Sequence, residues 1–225
     1  MKEIISFLNL IIENNNRPWF QQHKDLYINA QNKFNAISEQ ILLGVQKFDP
    51  LTRGLTVKDC TYRFYRDTRF SPDKSPYKRH FGLFIRPQGK KSNFAGYYFH
   101  IEGKGAEFLG QHGLYPGMYM CEPQIIRSVR DDIYANGEEF EKALKKAKDF
   151  DLSFSTKLKK VPKGYPADHP YAEYLKLKDY CLTEPISDDI LYSDHLVEWV
   201  VNEFQSAYDF NSFLNRSAMF VMENE

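Results

Sequence analysis

The chain has 225 residues, which is enough for one large core and short for two full domains. Its 42% of hydrophobic and 27% of charged residues are typical of globular proteins and exclude a disordered chain. Lys and Arg balance Asp and Glu at 30 each, so the molecule lacks the basic excess typical of proteins that bind nucleic-acid phosphates or anionic membranes. We therefore expect one globular domain over residues 1–225, and the charge balance argues against a nucleic-acid partner.

The first fifty residues predict two helices. Apolar residues recur at helical spacing from Ile4 to Ile12, and the asparagines at 14–16 favour a turn. A long second helix is expected from Pro18 to Phe48, before Asp49-Pro50 ends it. Polar residues interrupt the first apolar stretch, so we interpret it as an amphipathic helix and not as a secretion signal. With no run long enough to cross a membrane, the prediction is a cytoplasmic protein without a membrane partner.

The middle of the chain changes to strand-like sequence. Four segments are rich in aromatic and β-branched residues, and clusters of Gly, Pro, Asn and Lys separate them. Sequential strands this close can pair antiparallel. The predicted strands are Thr61–Arg66, His80–Arg86, Ala95–Glu102 and Glu107–Tyr115.

The last hundred residues mix helices with short strands. A helix is expected after Glu122-Pro123, with a break at Asn136-Gly137, and Ser187 is expected to cap a long final helix. Between them we predict an edge strand at 152–159, a proline-rich loop at 161–170, a short helix at 171–178 and a strand at 179–183. The resulting fold class is α+β, an antiparallel or mixed central sheet with long helices packed against it.

The segment from Arg63 to Arg79 has the most unusual chemistry in the chain. It holds six cations and two carboxylates, interleaved with aromatic residues and two prolines. Several cations converging on one corner would form an anion pocket, because Arg and Lys donate charge-assisted hydrogen bonds to phosphate and carboxylate groups. The candidate ligand-binding residues here are Arg63, Arg66, Arg69, Lys74, Tyr77 and Lys78, and Asp67 is a candidate catalytic group.

The same charges have a structural interpretation. Arg63 or Arg66 could pair with Asp67, and Arg69 could pair with Asp73. These ion pairs would fix the corner to the sheet. In that case the charges serve architecture alone.

A run of thirteen residues at 66–78, R-D-T-R-F-S-P-D-K-S-P-Y-K, resembles the signature of an uncharacterised family of conserved hypothetical proteins, found mainly in bacteria with fungal relatives. Similar matches occur at residues 7–20, 96–98, 113–116, 162–165 and 168–170. The resemblance therefore extends over nearly the whole chain and implies a single-domain protein. It implies no activity, substrate or cofactor, since none is established for the family.

Further candidates lie in the proline-rich loop. Lys163 adds a cation for ligand binding, and Asp168 and His169 offer acid-base capacity on a loop, where functional residues concentrate. If this loop docks beside Arg66, the cation-lined pocket gains a general base. The alternative is that His169 is a turn residue capping the next helix.

His100 and His112 fall on neighbouring predicted strands, with Glu102 nearby. Two imidazoles and a carboxylate could bind zinc, whereas histidines on tyrosine-lined strands are more often hydrogen-bonded surface or core residues. No compact histidine motif, phosphate loop or nucleophile elbow is present, and the three cysteines have no paired spacing. We predict reduced thiols and no metal site, and the sequence indicates no particular cofactor.

Three functions fit these residues. The leading hypothesis is a pocket for a small anionic ligand, such as a phosphate ester, nucleotide or carboxylate, with or without catalysis. The second is a non-enzymatic module that binds a protein partner or single-stranded nucleic acid. Its stacking platform would be Tyr62, Tyr65, Tyr97 and Tyr98. The third is a purely structural ion-pair corner. The sequence leaves the reaction type and the oligomeric state open.

Overall fold

The computed structural model describes residues 1–106 and 108–224, and the chain begins with three helices. They are α1 (Lys2–Glu13), α2 (Arg17–Gln22) and α3 (Lys24–Phe48). The expectation of one unbroken helix from Pro18 to Phe48 is wrong, because the helix is interrupted at His23. The imidazole of His23 stacks on Trp19 and its Nδ1 lies 2.9 Å from the Trp19 carbonyl oxygen. A side chain that bonds the backbone in this way competes with helix propagation.

Five strands among the described residues form one antiparallel sheet in the order β1-β2-β3-β5-β4. The strands are β1 (His80–Ile85), β2 (Gly96–Glu102), β3 (Gly113–Met118), β4 (Asp151–Leu152) and β5 (Tyr180–Pro185). The α+β class with an antiparallel sheet is confirmed.

Within residues 1–106 and 108–224, six α-helices follow α3. They are α4 (Val57–Cys60), α5 (Pro123–Lys146), α6 (Ala172–Leu175), α7 (Asp188–Leu191), α8 (Leu196–Ser206) and α9 (Tyr208–Glu223). Among helices in the described part of the chain, none is both long and apolar enough for a membrane span.

One face of the sheet packs on the long helices. Because side chains alternate along a strand, Tyr97, Phe99 and Ile101 of β2 all point into the core and are fully buried. Helices α1, α3 and α8 cover this face at the β1–β2 end, and α5 and α9 cover it at the β3–β5 end. Each large apolar side chain buried there contributes about 1.5–3 kcal/mol of transfer free energy. The opposite face has no such helical layer among the described residues.

Several boundaries differ from the predictions. The expected break at Asn136 is a kink within α5, where that residue has φ −129° and ψ 35°. The long final helix capped by Ser187 is wrong, since Ser187 caps only the short α7, and α8 and α9 follow separately. Non-helical backbone at Tyr192 and Ala207 separates these elements.

Two predicted strands are nearly absent. Residues 61–66 make only isolated bridges, from Thr61 to Leu83 of β1 and from Tyr65 to Tyr77, where the chain doubles back on itself. In that turn the Arg66 amide donates to the Pro76 carbonyl at 2.9 Å. The edge strand at 152–159 reduces to β4 and one bridge at Lys157. The strand predicted from Glu107 begins at Gly113, and Glu107 itself lies outside the described residues.

Candidate functional site

The sheet face opposite the core forms the floor of a cleft with a volume of about 980 Å³. Strand alternation supplies this floor, because residues one position away from each core residue point into the cleft. The floor residues are Phe84, Tyr98, Tyr115, Gly117, Cys181 and Thr183. A cleft of this size accommodates a small molecule, and its aromatic floor suits a flat or apolar group.

The charged corner at residues 63–79 forms one wall of this cleft. Arg66 organises the corner: its guanidinium donates to Asp73 Oδ2 at 2.5 Å and to Ser75 Oγ at 2.6 Å. Hydrogen bonds from Ser75, followed by the pairing with Arg66, lower the pKa of Asp73. Arg66 is therefore largely engaged in holding the loop together.

The ion pairs differ from those expected for a structural corner. Arg66 pairs with Asp73, and Arg69 pairs with Asp67 at 2.7 Å, the reverse of the anticipated partners. The turn at 71–76 brings Asp73 back onto Arg66. The order of the residues along the segment does not reveal this contact. Hydrogen bonds from Arg69 lower the pKa of Asp67 to about 2, so this predicted catalytic group is an ionised partner of Arg69.

Arg63, Lys78 and Arg79 are the cations that face the cleft with the fewest internal partners. Within residues 1–106 and 108–224, neither Arg63 nor Lys78 forms an ion pair with a carboxylate. The Arg79 guanidinium makes a long ion pair, with its Nη2 3.7 Å from Asp73 Oδ2. Lys78 sits over the ring of Tyr62, 5.1 Å from its centroid. Burial, followed by the charge of Arg63, lowers the pKa of Lys78. Positive charge is thus concentrated on this wall.

Other predicted ligand-binding residues occupy less accessible or outward positions. Tyr77 lines the cleft but is 1% exposed, and its ring stacks on Phe20 with centroids 3.9 Å apart. Lys74 donates to the carbonyl oxygen of Thr68 at 3.0 Å. Neither Lys74 nor Arg69 is among the described lining residues.

The proline-rich loop lies elsewhere. The ring of His169 contacts Tyr134 of α5, with centroids 4.6 Å apart, and its Nδ1 accepts from the Tyr171 amide at 3.3 Å. Among the described residues that line the cleft, Lys163, Asp168 and His169 do not occur. The structure does not bring this loop to the charged corner.

The wall opposite the cations is rich in hydroxyl groups. Ser153, Ser155 and Thr156 line it together with Asp179. The Asp179 carboxylate accepts from the Thr156 hydroxyl at 2.8 Å and from the Met120 amide at 2.7 Å. The cleft is therefore electrostatically asymmetric, cationic on one side and neutral to acidic on the other.

A buried chain of hydrogen bonds runs along β2 at the floor of the cleft. The hydroxyl of Tyr98 lies 3.0 Å from His100 Nδ1, and His100 Nε2 lies 3.0 Å from Glu102 Oε2. Glu102 also accepts from the Leu109 amide at 3.2 Å. His100 is 0% exposed and Glu102 is 4% exposed, while Tyr98 lines the cleft. Burial lowers the pKa of His100 to about 3 and raises that of Tyr98.

Two glycines make room for tyrosine hydroxyls beside these hydrogen bonds. In the sheet register, Gly82 of β1 and Gly113 of β3 both lie opposite His100. A Cβ at Gly82 would lie 2.5 Å from the Tyr98 hydroxyl, and one at Gly113 would lie 2.7 Å from the Tyr115 hydroxyl. Glycine within a strand often marks such a close approach.

Two further histidines lie beside the hydrogen-bonded Tyr98, His100 and Glu102. The ring of His80 lies 5.0 Å from that of His100 and stacks on Phe108, with centroids 4.3 Å apart. Burial, with smaller contributions from the charges of His100 and Lys78, lowers the pKa of His80 to about 3. His112 Nδ1 accepts from the Glu102 amide at 3.2 Å, so the predicted approach of His100, His112 and Glu102 occurs. In the described portion of the chain, no three His, Cys, Asp or Glu side chains are arranged to hold a metal ion.

The three thiols are buried or half-buried and none is in a disulfide. Burial raises the pKa of Cys60 and of Cys121 to about 12, and it also raises that of Cys181 on the cleft floor. Thiols with raised pKa values are poor nucleophiles at neutral pH.

The family model of a conserved hypothetical protein, DUF2461, matches residues 3–213. The chain belongs to this family. No curated protein and no solved structure matches it. The resemblance predicted from the sequence is confirmed at the level of the family, and the DUF2461 description names no activity that could be transferred to the cleft.

Sequence reasoning placed the cationic wall of this DUF2461 cleft but missed its floor. Tyr98 appeared only as a stacking residue, and His80 and Gly82 were given no role. The expected platform member Tyr97 faces the core, where its hydroxyl donates to the buried Asp49 carboxyl at 3.0 Å. The signal that could have found the floor is the pattern Tyr98-x-His100-x-Glu102, which places three polar groups on one strand face.

Proposed function

We propose that the cleft binds a small anionic ligand such as a phosphate ester, nucleotide or carboxylate. The observation that carries the proposal is the pair Arg63 and Lys78, two cations that line the same cleft without a carboxylate in ion-pair contact among the described residues. Like charges held together near a partly desolvated wall are unfavourable, and a bound anion relieves that repulsion.

The remaining walls match the rest of such a ligand. The rings of Tyr98, Tyr115 and Phe84 provide an apolar surface against which a flat group packs. Hydroxyl groups at Ser153, Ser155 and Thr156 offer hydrogen bonds on the far side. The ligand that fits this arrangement carries its negative charge at one end and a neutral, apolar or aromatic body.

The experiment is calorimetric titration of inorganic phosphate, acetate and adenosine monophosphate into the wild type and two variants at low and high salt. Arg63→Gln removes a cleft cation, and Arg53→Gln removes an exposed arginine that is not among the described lining residues. We expect Arg63→Gln to weaken anion binding about tenfold, the loss of one charge-assisted hydrogen bond of about 1.5 kcal/mol. Arg53→Gln should bind like wild type.

Absence of binding by all three anions would refute the proposal. Binding that is equally weakened by both variants would mean that net charge alone attracts the anion. Binding that is unchanged in Arg63→Gln would place the anion outside this cleft.

A further inference from the structure

The hydrogen-bond directions in the chain beneath the cleft follow from its chemistry. A Glu102 carboxylate can only accept hydrogen bonds, and its Oε2 lies 3.0 Å from His100 Nε2, so the proton of the neutral His100 ring is on Nε2. Nδ1 of that ring is then an acceptor, and the Tyr98 hydroxyl must donate to it. Since the only proton of Tyr98 points toward His100, the oxygen presents a lone pair to any donor in the cleft.

The site is built at a cost to the fold. Burying an ionisable carboxyl group and an imidazole costs free energy unless both are hydrogen-bonded, and each glycine in a strand weakens the sheet. The spaces left by Gly82 and Gly113 are filled by the hydroxyls of Tyr98 and Tyr115, beside His100. A tyrosine with only a structural role would require neither a buried imidazole as its hydrogen-bond partner nor glycines at the neighbouring positions.

From this geometry we infer that Tyr98, His100 and Glu102 form a proton relay in which Tyr98 is the general base for hydrolysis of a phosphate monoester bound in the cleft. The inference rests on the proposed anion site and adds its substrate class and reaction. Three cations on one wall, Arg63, Lys78 and Arg79, suit a dianionic phosphate monoester better than a singly charged carboxylate.

In the proposed hydrolysis, one water molecule supplies the attacking oxygen and the proton that balances the leaving group. Water donates a proton to the Tyr98 oxygen while Tyr98 passes its own proton to His100 Nδ1, and the water oxygen forms a bond to phosphorus. The bond between phosphorus and the ester oxygen breaks, and that oxygen takes the bonding electron pair. The proton on His100 returns through Tyr98 to the leaving oxygen, giving an alcohol and inorganic phosphate. Glu102, at 3.0 Å from His100, stabilises the transient imidazolium and acts as a positioning residue.

Other titratable side chains pack around the relay. His80 faces it from β1, His112 from the segment before β3, and Tyr115 from β3. The charge of Lys78 reaches His80, which links the cationic wall to the relay. His100 must be neutral to accept a proton, so turnover should hold at neutral pH and fall as the solution is acidified.

The first experiment measures hydrolysis of 4-nitrophenyl phosphate by the wild type, Tyr98→Phe and Glu102→Gln, with Tyr192→Phe and Glu39→Gln as exposed controls. Tyr98→Phe should lower kcat about 100-fold, the scale of a lost general base, with KM little changed. Glu102→Gln should lower kcat by tenfold or more, because its amide can donate to Nε2 and place the ring proton on Nδ1, where Tyr98 loses its acceptor. Both controls should match the wild type.

A parallel experiment reports binding and folding for the same variants. Inorganic phosphate should raise the unfolding midpoint of Tyr98→Phe as much as that of the wild type. If phosphate binds but the wild type has no turnover, or if Tyr98→Phe keeps full turnover, the relay is refuted and the anion site stands. If phosphate does not bind, the anion site fails and the inference fails with it.

The relay has its own test, which needs no ligand. Long-range ¹⁵N–¹H NMR of the wild type should show His100 protonated on Nε2, and the same tautomer in Tyr98→Phe. Glu102→Gln should shift the proton toward Nδ1. A wild-type ring protonated on Nδ1 would reverse the hydrogen-bond directions and overturn the inference, even if a variant does not fold.

Discussion

Strand β2 presents opposite chemistry to its two faces. Toward the helices it buries Tyr97, Phe99 and Ile101 in an apolar core, and toward the cleft it places Tyr98, His100 and Glu102. Both faces contain a tyrosine near a buried carboxyl group, yet Tyr97 bonds directly to Asp49 and Tyr98 bonds to an imidazole. The hydrogen bond between Tyr97 and Asp49 lies inside the protein. The hydrogen bonds of Glu102, His100 and Tyr98 instead end at the Tyr98 hydroxyl, in a cleft where a ligand can reach it. Burial alone therefore does not distinguish the two arrangements; the position of the tyrosine hydroxyl, in the core or at the cleft, does.

The largest contrast between the faces should appear in stability. Phe99→Ala leaves a cavity where the ring now stacks against Phe34, and we expect a loss of about 3–5 kcal/mol in the free energy of unfolding. Tyr98→Phe removes one hydrogen bond and should cost about 1 kcal/mol. Urea denaturation at neutral pH measures both. Similar losses for the two variants would mean that the cleft face is part of the core after all.

The faces should also respond oppositely to pH. Glu184 of β5 points into the core, and burial, with the charges of Glu203 and Asp149, raises its pKa to about 8. A carboxyl group with a raised folded-state pKa binds its proton more tightly when folded, so its contribution is present below about pH 4.5 and is lost as pH rises to about 8. His80 and His100, with pKa values lowered to about 3, stabilise the fold above about pH 6.5 and lose that contribution as pH falls.

Glu184→Gln should therefore flatten the alkaline side of the stability curve. At about 1.4 kcal/mol per pKa unit, the gain over wild type at pH 9 is on the order of 2–4 kcal/mol, and it should vanish near pH 4. Thermal unfolding from pH 4 to 9 measures it, with Glu198→Gln on the exposed side of α8 as the control. A constant difference at all pH values would show that packing and not ionisation causes the effect.

The smallest change tests the cleft face directly. Gly82→Ala places a methyl group against the Tyr98 hydroxyl, which must move away from His100. We expect about 1–2 kcal/mol of destabilisation and a loss of 4-nitrophenyl phosphate turnover close to that of Tyr98→Phe. Combining both substitutions should lower turnover no further. Full turnover in Gly82→Ala would show that the hydrogen bond to His100 is dispensable.

Local sequence signals predicted much of the helical layer. The apolar period of α1 was correct, and the break predicted at Asn136-Gly137 is present as a kink within α5, because helical contacts join residues close in sequence. The corner at 63–79 was found because its charges are adjacent in the chain. Its ion pairs were misassigned, since the turn at 71–76 brings Asp73 back to Arg66 and not to Arg69.

The floor of the cleft could not be predicted in the same way. Its assembly depends on register between strands: Gly82, His100 and Gly113 meet only because β1, β2 and β3 pair as they do. Aromatic content also misled the assignment of residues 61–66 as a strand, where only Phe64 reaches the core fully and Tyr65 remains exposed. The alternation of apolar and polar residues along a strand indicates which face of the sheet each side chain points to. It does not by itself identify the residue that lies opposite on the neighbouring strand.

The two glycines beside His100 constrain how this sequence can change over evolution. A side chain at position 82 would displace the Tyr98 hydroxyl, and one at position 113 would displace the Tyr115 hydroxyl. A larger residue at 82 is therefore less costly in a descendant that has already lost the tyrosine at 98, which favours one order of the two substitutions. Strands β1 and β2 are thereby linked in their history, because the loss of the Tyr98 hydroxyl on β2 opens a change at Gly82 on β1.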